Sequence, residues 1–457
     1  MRTSILYQNP EHDVTLIDIP TSIAVAQGGT DYSDTLLSNA PLDKPFVLQQ
    51  HQPKNQMARQ KHAIQLSCVD KHVEYRAAIE KALSTIQVPG AWCVPRRLTA
   101  QVPCSGKKAE RMDMDDLEKE LESRLREWSA LGENKRDDAF DFQKMMASVL
   151  AGGGTDATWT EKVAHKWYMS HNPTGTADRS QEHDVNPKEP WTAAFHNGET
   201  HASTLAISDG SSQYRFKIPP RSTLFLSDST HSDAFRASFR ELTEEYTLPR
   251  HFDLILLDPP WPNGSAKRKG AYEQVGGMPY MMKVLSKMDI DSYVEQNALV
   301  GIWITNKESL RHHVLGPGGL FEKWNVGLIE EWIWIKTTTK GEPMFSLENL
   351  WRKPYEIFLL GRAAPNSWTK MVAAGNIKKK VIAAVPDIHS RKPCLKELLE
   401  PYMSDTSDYS ALEIFSRYLV AGWTSWGNEV IKFNWDKYWA PDSGDSDTDT
   451  RVLDSNK

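Results

Sequence analysis

Between residues 109 and 131, Met114, Leu117, Leu121, Leu125, Trp128 and Leu131 recur at steps of three and four. That spacing puts them on one stripe of a helix, and Gly132 supplies a stop. A second helix is expected over 137–151, ended by Gly152-Gly153-Gly154. A third begins near Thr158, where Glu161 completes a capping box. Earlier in the chain the pattern is mixed. The short apolar runs Val14–Ile19 and Ile23–Ala26 predict strands, residues 40–64 a polar loop, and Asp70–Ile86 a helix. Residues 171–190 are rich in Asn, Pro, Gly and Asp and read as a linker.

From about residue 191 the rhythm changes. Leu224–Leu226, Phe252–Leu257, Leu299–Ile304, Leu328–Ile335, Glu356–Leu360, Val381–Ala384 and Val430–Phe433 predict strands. Several are unbroken apolar runs, as in strands covered on both faces. Helices are expected at Met278–Met288, Lys307–Val314, Lys396–Met403 and Ala411–Leu419. Alternating strands and helices predict an α/β fold, a mainly parallel sheet flanked by helices. The chain thus divides into an N-terminal accessory domain (1–105), a helical segment and linker (106–190), an α/β domain (191–440) and an acidic tail expected to be disordered (441–457).

Composition narrows the picture. With 457 residues and 40% apolar content, the chain has material for a large core. Its net charge of -6 argues against a protein that coats nucleic acid non-specifically, but it allows local basic patches. Cys68, Cys93, Cys104 and Cys394 form no CxxC pair, so no zinc site and a reducing compartment are expected. No signal peptide or membrane-spanning apolar run is visible, so no membrane association is expected.

The chemistry concentrates at the end of one strand. Phe252–Leu257 delivers Asp258-Pro259-Pro260-Trp261 at its carboxyl end, where open α/β sheets bind ligands. The prolines stiffen the loop and remove two amide donors while keeping their carbonyl acceptors. A carboxylate and a proline carbonyl can together hold both N–H bonds of an exocyclic aromatic amine such as adenine N6. Trp261 offers a face or wall for an extruded or single-stranded base. Catalysis would then rest on positioning and electrostatics. Lys267-Arg268-Lys269 follows at once, a candidate phosphate contact.

Four further segments follow: Leu350-Trp351-Arg352-Lys353-Pro354-Tyr355-Glu356, His389-Ser390-Arg391-Lys392-Pro393, Glu413-Ile414-Phe415-Ser416-Arg417 and Gly422-Trp423-Thr424-Ser425-Trp426-Gly427-Asn428-Glu429. Together and in this order with Asp258–Trp261, they resemble the eukaryotic N6-adenine methyltransferase family with the D-P-P-W tetrad, closest to its methyltransferase-like protein four branch. The resemblance is firm from about 220 to 433 and faint before.

The resemblance implies a Rossmann-like, permuted class I methyltransferase domain using S-adenosylmethionine. It implies catalysis at Asp258, Pro259, Pro260 and Trp261. It assigns the cofactor to Asp228, Ser229, Asp258, Pro259, Lys392, Glu413, Arg417, Asn428 and Glu429. It assigns the substrate to Trp261, Lys267, Arg268, Lys269, Tyr272, Lys353 and Glu356. RNA is the implied partner, a small nuclear RNA first, with a 2′-O-methylated adenosine as target. DNA is the alternative substrate, and a non-catalytic scaffold subunit the alternative role. A monomer in the nucleus, with the cytoplasm second, completes these expectations. Two departures stand out: Leu419 and Val420 replace a His-Asn pair of the messenger-RNA branch, and Glu429 replaces a glutamine.

Overall fold

The computed structural model describes residues 3–28, 34–47, 69–98, 114–129, 168–171, 191–209, 212–262, 277–349, 352–389 and 391–441. In chain order its strands are β1 (Ile5–Gln8), β2 (Val14–Ile17), β3 (Asp34–Leu36), β4 (Tyr168–His171), β5 (Trp191–His196), β6 (Ser203–Asp209), β7 (Ser212–Ile218) and β8 (Thr223–Leu226). Then come β9 (Phe252–Leu257), β10 (Val294–Ile304), β11 (Val326–Lys336), β12 (Tyr355–Ala363), β13 (Lys378–Ala384), β14 (Ala411–Ile414), β15 (Thr424–Gly427) and β16 (Trp439–Pro441).

Twelve of these form one mixed sheet, in the order β1-β2-β13-β11-β12-β10-β9-β14-β15-β8-β5-β4. Parallel pairs are in the majority. The block β10-β9-β14-β15-β8 is parallel throughout, and so are β11-β13 and β13-β2. The antiparallel pairs insert β12 between β10 and β11 and close both edges. This is the α/β architecture that the alternation of elements implied.

Period-two alternation sorts the strand side chains onto two faces. On one face Leu254, Leu256, Trp303, Trp332, Phe358 and Ile382 join Leu121, Leu125 and Trp128 of the helix Met114–Ser129, together with the β6-β7 hairpin. On the other, Ile255, Leu257, Val300, Ile302, Ile333 and Leu359 meet Phe235, Phe239 and Leu242 of the helix Ser232–Tyr246. The helices Val69–Thr85 and Glu308–Leu315 cover the same face through Tyr75, Ile79, Leu310 and Val314. Gly301 in β10 has no room for a side chain, because a Cβ there would lie 2.1 Å from Phe358 Cζ.

Four expectations are corrected. Ile23–Ala26 ends a helix, Ile19–Ala26, rather than forming a strand. Asp18 caps that helix by accepting from the Thr21 amide at 3.1 Å, and Pro20 sits in its first turn, a start signal stronger than the apolar run. Ala411–Leu419 is not a helix: Ala411–Ile414 is β14, and Phe415 turns the chain with φ 63°. Val430–Phe433 is no strand. It leads into a 3-10 turn, Lys432–Asn434, whose Lys432 amide donates to the Glu429 carbonyl.

The fourth correction concerns the expected boundary between residues 1–105 and the α/β domain. β2 pairs in parallel with β13, so the N-terminal strands extend the main sheet. Gln27 then donates to the Leu419 carbonyl at 2.8 Å and accepts from Asn434 at 2.9 Å. The expected helices over 137–151 and near Thr158, the loop 48–64, residues 172–190 and the tail 442–457 lie outside the described residues.

Candidate active site

The parallel register brings the ends of β8, β9, β14 and β15 level. Leu257 pairs with Ile414, Ile414 with Trp426, and Gly427 with Leu226. Asp258, Phe415, Asn428 and Ser227 therefore emerge side by side at the carboxyl edge. β9 is also where the topology switches, since β10 lies on one side of it and β14 on the other. A crevice outside that point is where α/β sheets take ligands. β12 runs antiparallel, so its first residues Tyr355 and Glu356 reach the same edge, opposite Ile335 and Trp334 of β11. β13 delivers the segment that carries Lys392.

The side chains meet as a chain of alternating charge. Lys392 Nζ donates to Asp258 Oδ1 at 2.6 Å and lies 3.2 Å from Glu356 Oε2. Glu356 is held from its other side by Lys336 at 2.6 Å. Arg417 Nη1 lies 3.6 Å from Asp258 Oδ2, and Arg417 Nε donates to Glu429 Oε2 at 2.9 Å. The Lys392 ammonium also sits 4.5 Å from the centre of the Trp303 ring.

Burial and neighbouring charge set the protonation of this group. Burial opposes charge on Glu356, but Lys336 and Lys392 overcome it and carry the carboxyl down to about 2. Burial opposes the Lys392 ammonium too, and Asp258 and Glu356 outweigh it, leaving its pKa raised. Glu429 is lowered despite burial, through Arg417 and Lys432. Glu413 goes the other way. Burial lifts it to about 8, against a hydrogen bond from Ser416 and with help from the charge of Asp258. Glu413, Asp258, Lys392 and Arg417 line one cavity with Trp303, Phe415 and Tyr418.

The tetrad is rigid for visible reasons. The Asp258 amide donates to the Ile414 carbonyl at 3.2 Å, and the Trp261 amide closes a tight turn on the Pro259 carbonyl at 2.8 Å. Trp261 is only 5% exposed, and its indole N–H donates to the Trp303 carbonyl at 2.7 Å. Of the two readings for this ring, the structure makes it a packed wall rather than an open stacking face. Lys307 Nζ then donates to the Pro262 carbonyl at 2.9 Å, fixing the exit from the turn.

The remaining expected residues fall in three groups. Ser229 donates its amide and hydroxyl to Asn428 Oδ1, at 3.3 and 3.0 Å, which ties the ends of β8 and β15 together. Asp228 accepts from the Thr230 amide at 2.9 Å and so shapes the turn into the helix Ser232–Tyr246. Lys353 lies near His72, whose pKa is lowered first by burial and then by Lys353. Lys267, Arg268, Lys269 and Tyr272 lie outside the described residues.

Sequence reading missed Trp303, Lys307, Lys336 and Lys432. Each belongs to an element read only for its apolar pattern, and nothing in local sequence marks it. Among the described residues no cluster of His, Cys, Asp and Glu could hold a metal ion. No described helix is long and apolar enough to cross a membrane.

Comparison with known proteins agrees with this geometry. The MT-A70 family model matches residues 252–429, from the first residue of β9 to Glu429. The N6-methyladenosine RNA methyltransferase MTA1 of Cryphonectria parasitica is 42% identical over 189 residues, covering 41% of this chain and 54% of that protein. The N(6)-adenine-specific methyltransferase METTL4 of Homo sapiens is 34% identical over 225 residues, covering 48% of this chain and 44% of its own length. A DNA N6-methyl methyltransferase of Caenorhabditis elegans is 31% identical over 225 residues, covering 49% and 55%. The chain spans about half the length of the curated relatives it matches. Residues 252–429 match the MT-A70 family model, and over that stretch the chain is similar to named N6-adenine methyltransferases.

Proposed function

We propose that this chain transfers a methyl group from S-adenosylmethionine to N6 of adenine in RNA. The observation that carries the reading is the Asp258 carboxylate at the end of β9, flanked by Lys392 at 2.6 Å and Arg417 at 3.6 Å. The donor set fits the cofactor. Lys392 suits its carboxylate, Asp258 its ammonium group, and Arg417, Asn428 and Glu429 the ribose hydroxyls. Asp228 and Ser229, at the end of β8, flank the place for its adenine. When bound, the cofactor supplies an electrophilic methyl group on a cationic sulfur.

The chain's own residues orient the acceptor. The adenine N6 lone pair is delocalised into the ring and reacts only when the nitrogen is held and aligned. The tight turn already uses the Pro259 carbonyl, so the Pro260 carbonyl and the Asp258 carboxylate are the acceptors assigned to the two N–H bonds. Rigidity of the tetrad then supplies the alignment, and the fixed charges favour the developing charge distribution. Lys267, Arg268 and Lys269 contact substrate phosphates, with Tyr272 beside the target base; Lys353 serves the same rim.

The substrate we propose is an adenosine of a small nuclear RNA that carries a 2′-O-methyl group, with the protein acting in the nucleus. Family resemblance supports this choice, and the name of the Cryphonectria relative supports RNA as the substrate class. The name of the Caenorhabditis relative supports DNA as the second reading. Matched RNA, 2′-O-methyl RNA and DNA oligonucleotides, assayed with labelled S-adenosylmethionine, separate the two. Preferred labelling of 2′-O-methyl RNA is expected. Labelling of DNA alone would overturn the RNA reading, and no labelling of any of them would favour a non-catalytic scaffold.

A further inference from the structure

Two polar side chains follow each other just past the end of β10, Thr305 and Asn306. Thr305 Oγ1 and Asn306 Oδ1 are both buried, and among the described residues neither has a hydrogen-bond partner. Buried polar atoms are paired almost without exception, because an unpaired one costs stability. Two of them side by side mark a surface shaped to meet a ligand rather than to pack.

Their place in the fold says which ligand. β10 pairs with β12 so that Ile304 lies opposite Ile357. One step further, Thr305 comes opposite Glu356, the carboxylate held by Lys392 and Lys336. The next step sets Asn306 opposite Tyr355, and the Asn306 amide nitrogen donates to the Tyr355 carbonyl. On the other side Ile302 pairs with Leu257, which brings Trp303 level with Asp258. The Trp303 carbonyl accepts from the Trp261 indole, and Lys307 donates to the Pro262 carbonyl. Thr305 is midway between these two ties. It therefore stands between the Asp258–Trp261 turn and the Glu356–Lys392 pair.

The chemistry of the tetrad leaves a role open there. The two N–H bonds of adenine N6 are assigned above to Asp258 and the Pro260 carbonyl, and both of those groups are acceptors. The ring nitrogens beside the amine, N1 on one edge and N7 on the other, are acceptors and need a donor. The Trp261 indole N–H is committed to Trp303, and Lys392 to Asp258. The Thr305 hydroxyl is a buried donor that no described residue uses. We propose that Thr305 is a base-contacting residue whose hydroxyl donates to the ring nitrogen, N1 or N7, of the target adenine and so seats and selects the base. This rests on the adenine-methylating reading proposed above.

The test uses the full chain saturated with S-adenosylhomocysteine. Fluorescence polarisation measures its binding to matched RNA oligonucleotides whose single target is adenosine, 1-deazaadenosine or 7-deazaadenosine. Thr305→Val keeps the shape of the side chain and removes the hydroxyl. It should weaken binding of the adenosine RNA about tenfold and leave the affinity for S-adenosylhomocysteine unchanged. Wild type should lose about as much with one of the two deaza RNAs, and Thr305→Val should no longer distinguish that RNA from the adenosine RNA. Because the lost hydroxyl is unpaired in the free chain, the Tm of Thr305→Val should equal or exceed that of wild type. A hydroxyl that served only the fold would give a lower Tm and unchanged RNA affinity, which overturns the inference. Equal wild-type affinity for all three RNAs also overturns it, and that arm needs no variant to fold. Failure of the wild-type chain to bind any of the RNAs while it binds S-adenosylhomocysteine would instead refute the substrate reading itself.

Discussion

Glu413 lies half-buried in the cavity below Asp258, and burial raises its carboxyl from 4.5 to about 8. An acid whose folded pKa exceeds its unfolded value favours the folded state at low pH. That advantage is lost as pH climbs from the unfolded value through the folded one. Wild-type Tm should therefore fall relative to that of Glu413→Gln as pH rises from about 5 to about 9. Thermal scans across that range check it, and parallel curves would contradict it. At this scale the sequence was informative where a residue type stood in a motif. Asp258, Lys392, Arg417 and Glu429, each singled out by its motif, meet in one ion-pair chain. It was silent on Lys336 and Lys432, whose partners are distant in sequence and are brought near only by the sheet and the helix packed on it.

Strands buried on both faces were the most legible elements, because an unbroken apolar run of that length has few other solutions. Leu254–Leu257 is such a run, and β9 has the expected bounds, Phe252–Leu257. β14 was not legible. Its four residues are too short for a periodicity to show, and the apolar positions that follow mimic a helix. Ile23–Ala26 failed for the opposite reason, since a capped helix in a largely buried place also reads as a plain apolar run. Close packing between β10 and β12 gives an element-scale prediction. Gly301→Ala would drive a methyl into Phe358 and against Leu256, and should cost about 3 kcal/mol of stability. Urea denaturation measures it, and an unchanged midpoint would show that the strands separate more easily than their register suggests.

At the scale of the whole molecule, the family-matched segment is not a structural unit. It contains β9 to β15, but the sheet is completed by β8, β5 and β4 on one side and by β2 and β1 on the other. The Ser229–Asn428 contact and the buried hydrogen bond from Gln27 to the Leu419 carbonyl both cross that boundary. The sequence divided the chain at 105 and 190 because composition changes there, and composition does not record which edge of a sheet a distant strand will join. A fragment of residues 252–429 should therefore lack cooperative unfolding and fail to bind S-adenosylhomocysteine, whereas the full chain shows both. Calorimetry on the two proteins decides this, and a fragment that melts cooperatively and binds would make the outer strands dispensable.

In the proposed mechanism Asp258, held between Lys392 and Arg417, orients an adenine amine for methylation. Its most direct test is mass spectrometry of nucleosides from RNA treated with S-adenosylmethionine and either the wild-type chain or Asp258→Ala. N6-methylated adenosine is expected with the wild type. A loss of about 10²-fold or more is expected with the variant, while RNA binding and Tm stay close to wild type. N6-methylated adenosine formed at wild-type rates by Asp258→Ala would contradict it.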